Sequence, residues 1–220
     1  MFRSKVFRRI ARVLYQVFVF WMVACMVLQG PVMQVAMSQM NAPPIVADGR
    51  TNTHVATSGN VTDVRTDSVN GVNAYNSFSR FNVPGGTTTN LHVPDSAKNL
   101  VNLVHNERSD INGVLNSYKN GQIGGNVYFL NPHGVVIGSG GAVNVGSLTM
   151  MTPTKQYMDG LLSKNGEISM VHERQLFEGN VPLSDSGVIS VKGRVNAVES
   201  VTLKAGGVNV DCDRFHSRFI

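Results

Sequence analysis

Four short segments in the C-terminal third of the chain share one template: Gly141-Ala-Val-Asn-Val145, Gly166-Glu-Ile-Ser-Met170, Gly187-Val-Ile-Ser-Val191 and Gly206-Gly-Val-Asn-Val210. Each has a glycine, an apolar residue two positions on, a polar residue and a second apolar residue. Their starts lie 25, 21 and 19 residues apart. Apolar residues at period 2 turn one face of a strand inward. One short strand recurring about every 20 residues is the sequence sign of a solenoid. Such a unit cannot bury its apolar face alone and must stack on a neighbour. The pattern predicts an all-β chain built as a parallel β-helix. Asn at the turns tolerates the left-handed conformation and can form side-chain ladders between coils.

Upstream, the same economy of short strands holds. Ser38 to Asp48 reads as an extended, mobile lead-in containing proline. Gly49 to Asp67 is rich in Thr and Val, which favour strands. Asn70-Gly71 signals a turn. Tyr75 to Val83 is an extended run stopped by Pro84-Gly-Gly86, and Thr87 to Val93 alternates until Pro94. Asn99–Val104 and Asp110–Leu115 are further short apolar runs. Only Lys155 to Ser163 suggests a helix, with Tyr157, Leu161 and Leu162 sharing a face, and Gly160 weakens it.

The most informative single stretch runs from Asn126 to Leu148. Val127 to Leu130 is a β-branched and aromatic block, short enough for a buried strand. Asn131-Pro132-His133-Gly134 fits a type I turn: Asn bonds the backbone two residues on, Pro presets φ, and Gly suits the exit. Val135 to Ile137 resumes the strand, read as folding back to pair with Val127–Leu130. Gly138-Ser-Gly-Gly141 breaks the chain again. It lacks the Lys-Ser/Thr of a phosphate loop and no helix follows, so it reads as a turn.

"NVYFLNPHGVVIGSGGAVNVGSL" closely resembles the Asn-Pro-Asn-Gly-Ile signature of the filamentous haemagglutinin-type secretion domain, found at the N-terminus of two-partner secretion exoproteins. "YNSFSRFNVPGGTTTNL" (Tyr75–Leu91) resembles that domain's early block, and Ser109-Asp-Ile-Asn-Gly113 its middle block. The resemblance covers roughly Val46 to Thr152. His133 stands where the family usually has Asn, and Val135 where it usually has Ile. A second family motif, Asn-Pro-Asn-Leu, has no clear counterpart. The resemblance implies a right-handed β-helix and a dedicated outer-membrane β-barrel transporter with periplasmic receptor domains. On the matching positions it assigns motif or transporter-recognition roles to Asn126, Asn131, Pro132, His133, Gly134 and Val135. It also implies that adhesion or toxicity, and any host surface ligand, belong to a longer C-terminal passenger.

The formal charge of +5 invites a nucleic-acid reading. Arg3, Lys5, Arg8, Arg9 and Arg12 supply five of the nineteen basic residues, and every acidic residue lies at Asp48 or beyond. Past the leader, fourteen basic residues face fourteen acidic ones, so attraction to phosphate is not implied and no nucleic-acid partner is expected. Val13 to Leu28 carries no charge over sixteen residues, and Gln29-Gly30-Pro31 ends the run. A spanning helix wants about 20 apolar residues, a signal core about 7–15. Small residues in Ala36-Met37-Ser38 mark a cleavage site after Ser38. The alternative is an uncleaved membrane anchor. Cys25 leaves with the leader, so Cys212 is the only thiol of the mature chain and no disulfide framework exists.

Catalytic signals are sparse. His172-Glu173 is the only histidine with a neighbouring ligand type, and adjacent residues on a strand point to opposite faces. Asp63 and Asp67, four apart on an expected strand, and Asp211 and Asp213 raise the alternative of a glycan-cleaving β-helix enzyme. They lie outside the motif region and read more simply as solvated acids; Lys192 and Arg194 read as a solvated edge. The expected organisation is a Sec signal peptide at 1–38, a secretion domain at 39–152 and further coils at 153–220. The last residues break the template, which predicts a truncated gene product or fragment. The expected function is that of a non-catalytic secretion domain without cofactor or metal, secreted or displayed by a Gram-negative bacterium. A small self-contained surface-binding module is a third reading.

Overall fold

β-branched and aromatic residues at alternate positions, punctuated by Gly, Pro and Asn, give many short strands and little else. The structure, a computed structural model, describes residues 42–211 and the backbone of 215–217. In chain order these hold β1 (Ile45–Ala47), β2 (Thr53–Ser58), β3 (Val61–Thr66), β4 (Val69–Asn70), β5 (Asn73–Phe81), β6 (Thr88–His92), β7 (Asn99–Val104), β8 (Ser109–Ile111) and β9 (Val114–Lys119). Then come β10 (Gln122–Ile123), β11 (Asn126–Leu130), β12 (Val135–Ile137), β13 (Ala142–Met151), α1 (Lys155–Leu161), α2 (Met170–Glu178), β14 (Val188–Val191), β15 (Arg194–Lys204), β16 (Gly207–Val210) and β17 (Phe215–Ser217).

Parallel pairing sorts these strands into three ladders. One joins β5, β7, β11 and the second halves of β13 and β15. Another joins β3, β6, β9, the first halves of β13 and β15, and β17. The third joins β8, β12, β14 and β16. The chain visits each ladder in turn, so every circuit lays one coil on the last. Successive Asn residues set the pitch: Asn73 pairs with Asn99, and Asn99 with Asn126.

Inward positions repeat from coil to coil. Ala74, Leu100, Val127 and Leu148 stand in register and form part of one continuous core. Phe78, Phe81 and Phe129 pack edge to face in it, with centroids 5.0 and 5.1 Å apart. Full burial of each large apolar side chain contributes roughly 2 kcal/mol. At the N-terminal end, β1 lies antiparallel on β5 and β2 antiparallel on β3, covering strand edges that would otherwise be open. The lead-in expected to be mobile is thus pinned from Ile45, whose side chain is buried.

The expected Asn ladders exist, on strands rather than at turns. Asn126 donates to Asn99 (2.9 Å) and Asn99 to Asn73 (2.7 Å). In the second ladder, Asn196, Asn144 and Asn116 each donate to the coil before, ending on Asn90, at 2.7, 2.8 and 3.1 Å. Both series run the same way and end on a carboxylate. Asn73 donates to Glu173 (2.9 Å) and Asn90 to Asp63 (3.2 Å). An acceptor-only group is what the last amide of such a row requires.

The helices form a second core outside the coils. Tyr75, Val101, Leu103, Leu130 and Met151 face outward and are buried under Tyr157, Met158, Leu161, Leu162 and Leu176. Thr154 caps α1 by accepting from Tyr157 N–H, and Gly179 closes α2 in the left-handed conformation. Three expectations fail here. Gly166–Met170 is no coil: Ile168 only bridges Leu162, and Met170 opens α2. His172 and Glu173 therefore sit on a helix rather than a strand. The remaining template copies are also not equivalent, since Gly141 precedes the second ladder while Gly187 and Gly206 precede the third. The leader expected at 1–38, Cys212 and Asp213 lie outside the described residues. Among the described residues no helix is long and apolar enough to cross a membrane.

Candidate functional site, a buried corner between ladders

The motif turns the chain from the first ladder to the third. Val127–Leu130 and Val135–Ile137 do not pair with each other, contrary to the sequence reading. β11 is flanked by β7 and β13, and β12 by β8 and β14. The reason is geometric: the turn redirects the chain to a different sheet, where each strand finds partners in the coils before and after.

Asn131 is fully buried and its side chain is saturated. Nδ2 donates to Glu107 O (2.9 Å) and Ser109 Oγ (3.0 Å) on the preceding coil. Oδ1 accepts from His133 N–H (2.9 Å), two residues on, as the sequence suggested. Its backbone N–H donates to Met151 O of the following coil (3.0 Å). Gly134 N–H closes the turn onto Asn131 O (3.1 Å). Gly134 has φ +98, and a Cβ there would lie 2.5 Å from Val188 O. Glycine is thus required twice, by the backbone conformation and by the approach of the next coil. Pro132 is buried, Val135 faces the core, and His133 alone is exposed. The His133 Nε2 to His105 O contact is 3.1 Å. Asn131 to Val135 are therefore one site that bolts three coils together. Asn126 is not part of it and belongs to the Asn ladder along β11.

Under this corner lies a cluster that the sequence reading passed over. His105 is buried at the equivalent turn of the preceding coil, and its Nε2 has no hydrogen-bond partner. Asp48 Oδ2 is 3.8 Å away, too long for a hydrogen bond. Burial first, and the Arg50 charge second, push the imidazole down to about 4, against an opposing pull from Asp48. At neutral pH the contact is therefore not an ion pair. Asp48 instead accepts from Ser77 Oγ (2.8 Å) and pairs with Arg50 (3.3 Å). Arg50 reaches on to Asp159 and the Leu162 carbonyl, both at 3.4 Å. The N-terminal segment thus ties the coils to α1. Asp48-x-Arg50 is too short a signal to have shown this.

The other residues singled out in the sequence do not assemble. Asp63 binds His92 (2.7 Å) and Asp67 binds His54 (2.9 Å), so they are not a carboxylate pair. Gly141 N–H closes on Gly138 O (2.8 Å), a turn as expected. Lys192 and Arg194 are exposed. Among the described residues no three of His, Cys, Asp and Glu gather as metal ligands.

Fold and corner together define a β-solenoid module whose most marked sequence is spent on architecture. A family model described as the TPS secretion domain matches residues 44–218, and the chain belongs to that family. It is accordingly the N-terminal domain of a two-partner secretion exoprotein of Gram-negative bacteria, exported through the outer membrane with a transporter partner. A search of curated proteins returns no match.

Proposed function

We propose that the chain is the non-catalytic secretion domain of a filamentous adhesin. A Sec signal peptide at residues 1–38 delivers it to the periplasm. There the periplasmic receptor domains of an outer-membrane β-barrel transporter capture it in an unfolded form. It folds outside as a right-handed parallel β-helix, each coil templating the next, and any host adhesion belongs to a C-terminal passenger. One observation carries this reading. Asn131, Pro132, Gly134 and Val135 are buried in the folded domain, and only His133 is exposed. A receptor that reads the motif must therefore meet it before the coils close. Each coil gains its core only on its neighbour, so folding can proceed coil by coil as the chain emerges.

The test is the folding state on each side of the outer membrane. In cells with the transporter, the secreted chain is expected to resist protease. In cells without it, the chain should be trapped in the periplasm and cut readily. A trapped periplasmic chain as protease-resistant as the secreted one would contradict the proposal.

A further inference from the structure

Of the twenty-one asparagines in the chain, one is followed two positions on by a hydroxyl residue without an intervening proline: Asn60-Val61-Thr62. That tripeptide is the acceptor sequence for asparagine-linked glycosylation, in which the transferase engages the amide and the hydroxyl together. Asn60 is also a place where the fold has room for a sugar. It is the second central residue of the two-residue turn joining β2 to β3, with Ser58 opposite Val61 and Gly59 before it at φ +56°. Asn60 is exposed and belongs to neither core, and Thr88 N–H holds its carbonyl (2.8 Å). The ladder asparagines, whose amides are spent on one another, all lack the acceptor sequence.

A second observation concerns the strand beside this turn. β2 is the outermost strand of its sheet and, among the described residues, pairs with β3 alone. Its six residues, Thr53–Ser58, include no Lys, Arg, Asp, Glu or Pro, and Ala56, Thr57 and Ser58 are exposed. An uncharged edge of this length, carrying Thr and Val, is a template for pairing with another chain. Soluble proteins blunt such edges with charge, proline or a cover. The sequence of β2 supplies no charge or proline, and a bulky hydrophilic group on the adjoining turn supplies a cover.

We infer that Asn60 is a glycosylation site and that its N-linked glycan guards the β2 edge. In the transfer, Asn60 Nδ2 attacks the anomeric carbon of a sugar diphosphate donor. The nitrogen–carbon bond forms, the bond from that carbon to the diphosphate oxygen breaks, and the diphosphate leaves with the electron pair. The amide proton passes to a base of the transferase. Thr62 sets the timing. In the fold its hydroxyl is paired with that of Thr57 (3.0 Å) and the residue is 7% exposed, so a transferase that engages it must act before β2 and β3 close. The timing rests on the unfolded export route proposed above; the site itself does not.

The test is mass spectrometry of the peptide containing residue 60, taken from the chain secreted by the bacterium that makes it. Asn60→Gln, Thr62→Val and Thr62→Ser are expressed in the same cells. The wild-type peptide should carry a glycan, Asn60→Gln and Thr62→Val should lose it, and Thr62→Ser, which keeps the hydroxyl, should retain it. An unmodified wild-type peptide, or a glycan that persists in Thr62→Val, would overturn the site. Chain trapped in cells without the transporter should carry the same glycan; a glycan found only on the secreted chain would overturn the timing and leave the site standing. Sedimentation reads the guarding role. Secreted wild type should stay monomeric, Asn60→Gln should self-associate, and adding Ala56→Lys, which charges the edge, should return it to monomer. A monomeric Asn60→Gln, or self-association that Ala56→Lys leaves unchanged, would overturn that role.

Discussion

The same corner is built twice in succession, by different means. Between β11 and β12 it takes four residues, 131–134, and between β13 and β14 it takes residues 152–187 with two helices. Both deliver the chain to the third ladder in the same register, with Val135 opposite Ile189 and Val136 opposite Ser190. The short corner is held by hydrogen bonds from one amide side chain and by a glycine with no room for Cβ. The long one is held by an apolar core of its own, laid over Leu103, Leu130 and Met151, and by Arg50 gripping Asp159 and Leu162. A solenoid corner thus has to satisfy the stack above and below it, and the length of chain used to do so is free.

The largest effect in this comparison is expected at Gly134. Gly134→Val places a β-branched residue at positive φ and drives Cβ onto Val188 O, so it should lower stability by about 3 kcal/mol or more, read as the urea midpoint of the secreted domain. The buried cluster beneath the short corner should respond to acid. His105 stays neutral in the fold down to about 4, while in the unfolded chain it protonates near 6.5. The unfolded state then binds more protons between those values, so stability is intact above 6.5 and falls as pH drops towards 4. The loss approaches about 3 kcal/mol, and His105→Gln should flatten the profile. Asn131→Ala strands Glu107 O and Ser109 Oγ and should cost about 2 kcal/mol by the same urea measurement. His133→Asn is the smallest change. His133 is exposed and bonds the coil below only through Nε2, so a shift within about 0.5 kcal/mol is expected.

The strands were legible because their signal is local. β-branched alternation and Asn-Gly or Pro-Gly breaks mark β5 to β13, and the Asn131-Pro-His-Gly134 turn announces its own hydrogen bond. What was not legible depends on neighbours distant in sequence. α2 buries only Leu176 fully and leaves Met170 and Val171 exposed, so it has little apolar period, and Gly166-Glu-Ile-Ser-Met170 mimics the strand template. Ser169 before it and Gly179 after it were the available cap signals. The partners of Val127–Leu130 were misassigned because periodicity states which face is inward, not which strand lies alongside. The meeting of Asp48, Arg50, His105 and Asp159 likewise follows only from the stacking of coils.

The central claim is that the Asn131–Gly134 corner is a structural joint on which export across the outer membrane depends. Its most direct test is fractionation of cells carrying the transporter, with an antibody to the mature chain. The double variant Asn131→Ala, Gly134→Val leaves the proposed signal peptide at 1–38 untouched, so it should reach the periplasm, accumulate there and be degraded, with little outside the cell. Wild-type levels of the double variant in the medium would contradict the account.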